Sequence, residues 1–250
     1  MSDIIRNSEG CGIKVGDVLY KYGSIEDCKD ENQYAKKYEE RIGNLIGDKT
    51  IWFSKYDNLN DPYEVTVAHY DYPDTQAKNA AMVRDYANRF MVEILSLTDS
   101  EKNLLMWSYY ANSHKGYCLE FEVVNPENIF KVSYVDKIPQ GINYALMHLA
   151  PNDTVGRENL CKTFTNKSNA WAHENEYRII CVDNAGKNST GEKIELVRTG
   201  LRLKRIILGA NCGKRLIKMI KNDSRITIPC DQATICPGEY KVEVKKHIKK

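Results

Sequence analysis

The stretch 171-WAHENEYRIICV-182 sets two glutamates, Glu174 and Glu176, two residues apart in front of an apolar run. Carboxylates are poor strand residues, so a pair at the mouth of a strand needs a reason. On an extended backbone the two side chains share a face with Cα atoms about 7 Å apart. Acids that close raise one another's pKa unless cations hold them, and Arg178 lies on the same face. Two readings follow. In one, Arg178 salt-bridges the strand entrance. In the other, one carboxylate orients a nucleophile and the other stabilises a positive, oxocarbenium-like centre.

Other residues of chemical interest precede this pair. In 60-NDPYE-64, Asp61 before proline is pushed extended, and Asn60 and Asp61 can bond their own backbone. The result is a rigid loop, or a binding loop that offers those two groups beside Tyr56 and Tyr63. The segment 106-MWSYYANSHKGYCLEFE-122 crowds aromatic residues ahead of a strand. Trp107 reads as core, while Ser108, Tyr110 and His114 could reach a cleft. A Ser/His/Asp triad lacks its G-x-S-x-G elbow. Glu120, Glu122 and Glu243 (the last in E-x-K) give the acids that a metal-dependent nuclease would want, against the plainer reading of a solvated face. Gly209 to Lys214 has three residues between its glycines and Arg215 after the lysine, which is wrong for a phosphate loop; a turn capping a helix is expected. No residue set is assigned to a metal.

The elements that must position these groups can be read from periodicity. Strands are expected at 13–23, 49–56, 91–98, 117–123, 130–135, 177–182, 193–197, 204–208, 225–228 and 240–244. Helices are expected at 32–47, with Gly47 as C-cap, at about 75–90, 102–114 and 213–221, with two more between 141 and 166. Strands and helices do not alternate regularly. This implies an α+β fold with a mixed, largely antiparallel sheet and flanking helices, not a doubly wound one. The tail 245-KKHIKK-250 reads as a frayed, solvated end, with nucleic-acid contact as the alternative.

The chain has 250 residues and a formal net charge of +2. That length fits a single domain over 1–250 with a real core. The charge gives no global pull toward nucleic acid or lipid. The N-terminus does not read as a signal peptide, and no run approaches the length that spans a bilayer, so no membrane partner is expected. Eight cysteines include no C-x-x-C pair. Cys118 and Cys181 lie in apolar runs and read as reduced, buried thiols, which implies a reducing, cytoplasmic setting.

The phrases 19-LYKYGS-24, 51-IWFSKYDNLNDPYE-64, 105-LMWSYYANSHKGYCLEFE-122, 167-KSNAWAHENEYRII-180 and 205-RIILG-209 occur in an order that resembles a bacterial family, domain of unknown function two-nine-seven-one. The likeness covers a core of about 18–210, leaving 211–250 as a C-terminal strand–helix extension. It implies an accessory or defence-associated bacterial protein, toxin-like in setting, and no established reaction.

A second resemblance is to ADP-ribosyltransferases, which pinch NAD in a split sheet. Tyr20 or Tyr22 would fill the first-strand position, Ser54 the serine of the next strand, and Glu176, after Glu174, the glutamate that opens a later strand. The S-T-S, the first-strand arginine and the H-Y pair of that group are missing. What the likeness implies is a transferase with NAD as co-substrate. Tyr20 and Tyr22 would border the nicotinamide, while Ser54, Asn60 and Asp61 would hold its ribose. Glu176 would face the ribosyl cation, and Glu174 would orient an acceptor on nucleic acid or protein. Tyr63, Trp107, Ser108, Tyr110, His114 and Arg178 would line the substrate side. The alternatives are a non-catalytic module that binds a nucleotide or nucleic acid, and the metal-dependent nuclease.

Overall fold

The computed structural model describes residues 3–63, 92–137, 164–182 and 190–249. Its strands are β1 (Asp3–Ile4), β2 (Val18–Gly23), β3 (Thr50–Lys55), β4 (Val92–Thr98), β5 (Tyr117–Val123), β6 (Phe130–Lys131), β7 (Ser133–Val135), β8 (Asn166–Ser168), β9 (Glu176–Val182), β10 (Gly191–Glu195), β11 (Leu201–Leu208), β12 (Cys230–Ile235) and β13 (Val242–Lys249). Its α-helices are α1 (Glu31–Tyr38), α2 (Asn44–Ile46), α3 (Leu104–Tyr109) and α4 (Lys214–Asn222). The fold is α+β, with a mixed, mostly antiparallel sheet and few helices, as the irregular order of elements implies. Among the described residues no helix is long and apolar enough to cross a membrane.

The chain forms two compact units, each drawn from three segments. The first comprises residues 1–13, 52–96 and 126–193. Here β9 takes β1 and β6 as antiparallel partners, with Ile4 opposite Cys181 and Phe130 opposite Arg178, and β4 lies beside it. Every residue of β9 is buried. A strand covered on both faces reads as a continuous run rather than an alternating one, and 177-YRIICV-182 has that character except at Arg178. The short strands β7 and β8 pair in parallel, with Tyr134 opposite Lys167.

The second unit comprises 14–51, 97–125 and 194–250. Its strands run β2–β5–β11–β12–β13, antiparallel except where β11 meets β12. Leu19, Phe121, Ile206 and Ile207 are wholly or almost wholly buried within it. Helix α4 turns Leu216 and Ile220 inward. Asp30 caps α1 by accepting the Gln33 N–H at 2.7 Å. The helical stretch expected at 32–47 is α1 and α2 joined by a π-helical turn at Glu39–Gly43.

Several expectations need correction. Residues 225–228 form no strand; Pro229 ends that irregular stretch, and the strand is β12, which begins one residue later. Its sequence, CDQATI, sets Asp231 and Gln232 side by side, which breaks the alternation that marks a strand. The C-terminal tail is not frayed. Its backbone continues β13, with His247 opposite Asp231 and Lys249 opposite Cys230, because an antiparallel partner satisfies backbone groups whatever the side-chain charge. The run 130–135 breaks into β6 and β7, and the strand expected at 193–197 is β10, two residues earlier. The helix expected near 75–90, and nearly all of the 141–166 region, lie outside the described residues, as does Glu64.

Candidate functional site

In the first unit, Glu174 is not on the strand. It ends a 3-10 turn, Asn169–Glu174, capped at its start by the Ser168 hydroxyl, which accepts the Ala170 N–H at 3.3 Å. Asn175 then takes a left-handed conformation, φ 43°, which an asparagine tolerates better than most residues. The kink lets two carboxylates that are not strand neighbours meet one cation. Lys167 Nζ donates to Glu174 Oε2 at 2.6 Å and to Glu176 Oε2 at 3.1 Å.

Arg178 completes the cluster. Its Nε donates to Glu176 Oε1 at 2.8 Å and its Nη2 to Glu176 Oε2 at 2.9 Å. The Arg178 Nη1 reaches the Phe164 carbonyl at 2.5 Å. Tyr134 Oη accepts the Glu176 backbone N–H at 2.8 Å. Two acids and two bases thus balance in a site where Glu174 is 2%, Glu176 4% and Arg178 0% exposed. Burial alone would push the Glu176 carboxyl up. Arg178 and Lys167 outweigh it and hold that carboxyl at about 2. Burial likewise works against the charge of Lys167, yet Glu176 and Glu174 keep its pKa above the ordinary lysine value.

Of the other expected residues in this unit, Ser54 lies on β3 opposite Ile94. Asp61 is buried, and its Oδ1 accepts the Tyr63 N–H at 2.9 Å across Pro62, the self-bonded loop expected of N-D-P. Asn60 is exposed, and so is Tyr63.

The remaining expected residues belong to the second unit. Trp107 is wholly buried; its ring meets Tyr22 edge-on at 5.0 Å, and its Nε1 donates to the Glu101 carbonyl at 2.7 Å. It is core, with no surface left for a ligand. Tyr22 donates to the Ser100 carbonyl at 2.9 Å, and Tyr110 packs against the same core. Burial pushes the Tyr20 phenol well up, and Glu101 and Glu120 add to it.

Ser108 and His114 are brought together. Ser108 Oγ donates to the Leu104 carbonyl at 2.9 Å and lies 3.5 Å from His114 Nε2. The imidazole stacks against the Trp107 ring, with centroids 6.1 Å apart and planes 13° from parallel. His114 Nδ1 is shielded from solvent and has no hydrogen-bond partner among the described residues. Burial lowers the His114 pKa, so the ring is neutral at pH 7.

His114 ends a run of three left-handed residues, Asn112, Ser113 and His114, with φ of 47°, 54° and 65°. Backbone bonds pin the run. Ser113 N–H donates to Ser108 O and His114 N–H to Trp107 O, both at 3.0 Å, while Asn211 N–H donates to His114 O at 2.9 Å. Glycine is required on either side. A Cβ at Gly209 would overlap the His114 carbonyl oxygen, and one at Gly116 the Gly23 carbonyl oxygen.

A cluster that the sequence reading missed joins neighbouring strands of this unit. Arg205 binds Glu120 through Nε at 2.9 Å and also through Nη2, and Asp231 through Nη1 at 3.0 Å. Arg202 and Lys204 hold Glu122 at 2.8 and 3.0 Å. The signal was the alternation E-x-E on β5, whose register partners on β11 are arginines. Glu243 pairs with Lys241 at 3.0 Å. The acids expected of a nuclease are therefore engaged by cations, and among the described residues no group of His, Cys, Asp and Glu is arranged to hold a metal. Gly209 to Gly213 is a turn leading into α4, with Gly213 as its N-cap.

No curated protein and no solved structure matches the chain. The model of a family described as protein of unknown function, DUF2971, matches residues 106–179, a stretch that holds both the Ser108–His114 turn and the Lys167–Arg178 cluster.

Proposed function

We propose that the chain is a non-catalytic module that binds a nucleotide or nucleic acid. The observation that carries this reading is the turn Asn112–His114. Left-handed geometry costs most non-glycine residues about 1–2 kcal/mol, and here three consecutive residues adopt it, Asn112 at less cost than Ser113 and His114. Strain of this kind persists only where the surroundings over-determine it, and it gathers at ligand clamps and active sites. The turn holds a neutral imidazole beside the Ser108 hydroxyl, and Tyr109, the residue after Ser108 in the chain, is 61% exposed. An exposed aromatic ring with nearby hydrogen-bonding groups suits a nucleobase. The carboxylates of Glu174 and Glu176, by contrast, are saturated by Lys167 and Arg178.

The test is thermal stabilisation of the purified protein across a panel of mononucleotides, dinucleotides including NAD, and short oligonucleotides. Ligand at a hundred times its Kd adds about 2.7 kcal/mol to stability. Tyr109→Ala and His114→Gln remove the effect on this reading, while any folded Glu176→Gln variant retains it. Stabilisation indifferent to Tyr109 and His114 would overturn it.

A second reading is the ADP-ribosyltransferase-like enzyme with NAD as co-substrate and a split sheet of that kind. It is favoured by one observation: Tyr20, Ser54 and Glu176 all lie on strands, with Glu176 the first residue of β9. Its test is transfer of label from NAD into protein, DNA or RNA by the wild type and not by Glu176→Gln. Label transfer that depends on Glu176 would replace the binding-module reading.

A further inference from the structure

We infer that the outer face of α4, together with Lys115, is a docking track for the phosphate backbone of nucleic acid. The track goes beyond the base-binding reading of the turn and stands on separate residues. Leu216 and Ile220 point α4 into the core of the second unit. At 100° per residue, Lys214, Lys218 and Lys221 fall within a 60° arc opposite them. All three are exposed, and no ion pair engages any of them among the described residues. Their neighbours differ. Arg215 lies over the Tyr34 ring and pairs with Glu31 at 2.9 Å, while Arg225 is held by Glu39 and Asp223. The helix thus keeps its flanking cations for structure and leaves one row uncompensated.

The row spans seven residues, about 10.5 Å of helix axis. One strand of a duplex offers a phosphate every 3.4 Å along its axis, so about three phosphates match three lysines. The track continues into the left-handed turn. Asn211, three residues before Lys214, donates its backbone N–H to the His114 carbonyl, and Lys115 follows as an exposed residue with no ion pair among those described. Charge runs the same way over a longer stretch. Residues 194–250 hold fourteen Lys and Arg against five Asp and Glu, in a chain whose net charge is only +2. A polyanion is the complementary partner. Nucleic acid is favoured over a lipid surface because Leu216 and Ile220 of α4 are buried and Ile217 and Met219 half-buried, which leaves the lysine row no fully exposed apolar side chain to enter a bilayer.

The experiment is fluorescence anisotropy of the full chain against a labelled 20-nucleotide single strand and the same sequence as duplex, at a series of salt concentrations. The comparison is with K214Q/K218Q/K221Q and with the charge-reversed K214E/K218E/K221E. With four phosphates neutralised, the slope of log K on log salt is about −3.6 for duplex and about −2.8 for single strand. The Gln variant loses about 2.7 or 2.1 of that slope, with at least tenfold weaker binding at low salt, and the Glu variant loses more. An unchanged far-ultraviolet spectrum and melting point show that the fold is kept. Tyr109→Ala and His114→Gln leave the salt slope in place, which separates this track from the base-binding reading. Equal binding by wild type and both triple variants overturns the proposal. So does binding confined to vesicles of anionic phospholipid with none to either oligonucleotide.

Discussion

Arg178 grips Glu176 from two positions further along the same strand, Nε to Oε1 at 2.8 Å and Nη2 to Oε2 at 2.9 Å, with both side chains out of water. Such a fork is strong because both partners are charged and the two bonds are parallel. It does not follow that the pair adds net stability, since both ions left water to form it. Removing one partner is another matter, for it strands a buried charge. Arg178→Met is expected to destabilise the protein by about 3–5 kcal/mol in urea denaturation. In a double-mutant cycle with Glu176→Met, the double variant should lose less than the sum of the single losses by at least about 1 kcal/mol. Additive losses would show that the two residues act independently.

The same pair sets an acid limit. The Glu176 carboxyl is held at about 2 in the folded protein, below its ordinary value of 4.5. A depressed carboxyl contributes stability that is fully present above the unfolded pKa and is lost as pH falls through the folded one. Stability measured from pH 6 downward should therefore fall between about 4.5 and 2. Lys167 works at the other end. Its raised pKa contributes below the unfolded value of 10.5 and fades as pH climbs beyond it. Glu176→Gln should flatten the acid limb, and a limb of unchanged slope would assign the loss to other carboxylates.

Much of this was legible in the sequence where one signal dominated. The strand 117–123 was read to the residue, because alternation and a preceding glycine bound it. Arg178 on the face of Glu176 follows from the strand's period of two. What could not be read was anything that depends on a distant strand. Lys167 has no local mark that would pair it with Glu174 and Glu176, and Arg205 reaches Glu120 only through the register of β11 on β5. Strand β12 escaped because the adjacent Asp231 and Gln232 break the alternation that marks a strand. The left-handed run at 112–114 contains no glycine, and Asn112 and Ser113 mark a turn there without marking three successive left-handed residues.

That run makes a conformational prediction. Ser113 is exposed and left-handed, so Ser113→Gly relieves about 1–2 kcal/mol of backbone cost. The extra freedom of glycine in the unfolded chain takes back about 0.5–1 kcal/mol. The net expectation is a gain of up to about 1 kcal/mol, read as a rise in thermal midpoint. Gly209→Ala goes the other way, because its methyl would enter the His114 carbonyl and the backbone there is pinned from both sides. If both variants melted with the wild type, the turn would not be strained.

His114 gives the turn a pH signature. Burial lowers its pKa from 6.5, so the folded protein disfavours the imidazolium that the unfolded chain accepts. Below pH 6.5 the unfolded state therefore binds more protons, and stability falls as pH drops toward the folded pKa. His114→Gln cannot titrate, so the difference in stability between variant and wild type should change between pH 7.5 and pH 5.5 and level off at the upper end. The binding-module reading adds a second readout over the same range. If a base or ribose bonds the neutral ring, affinity of the wild type declines with the imidazole's protonation, and the profile of Tyr109→Ala, however weak its binding, keeps the same midpoint. A pH-independent affinity in the wild type would remove the His114 ring from the ligand, while the stability difference alone would still report its burial.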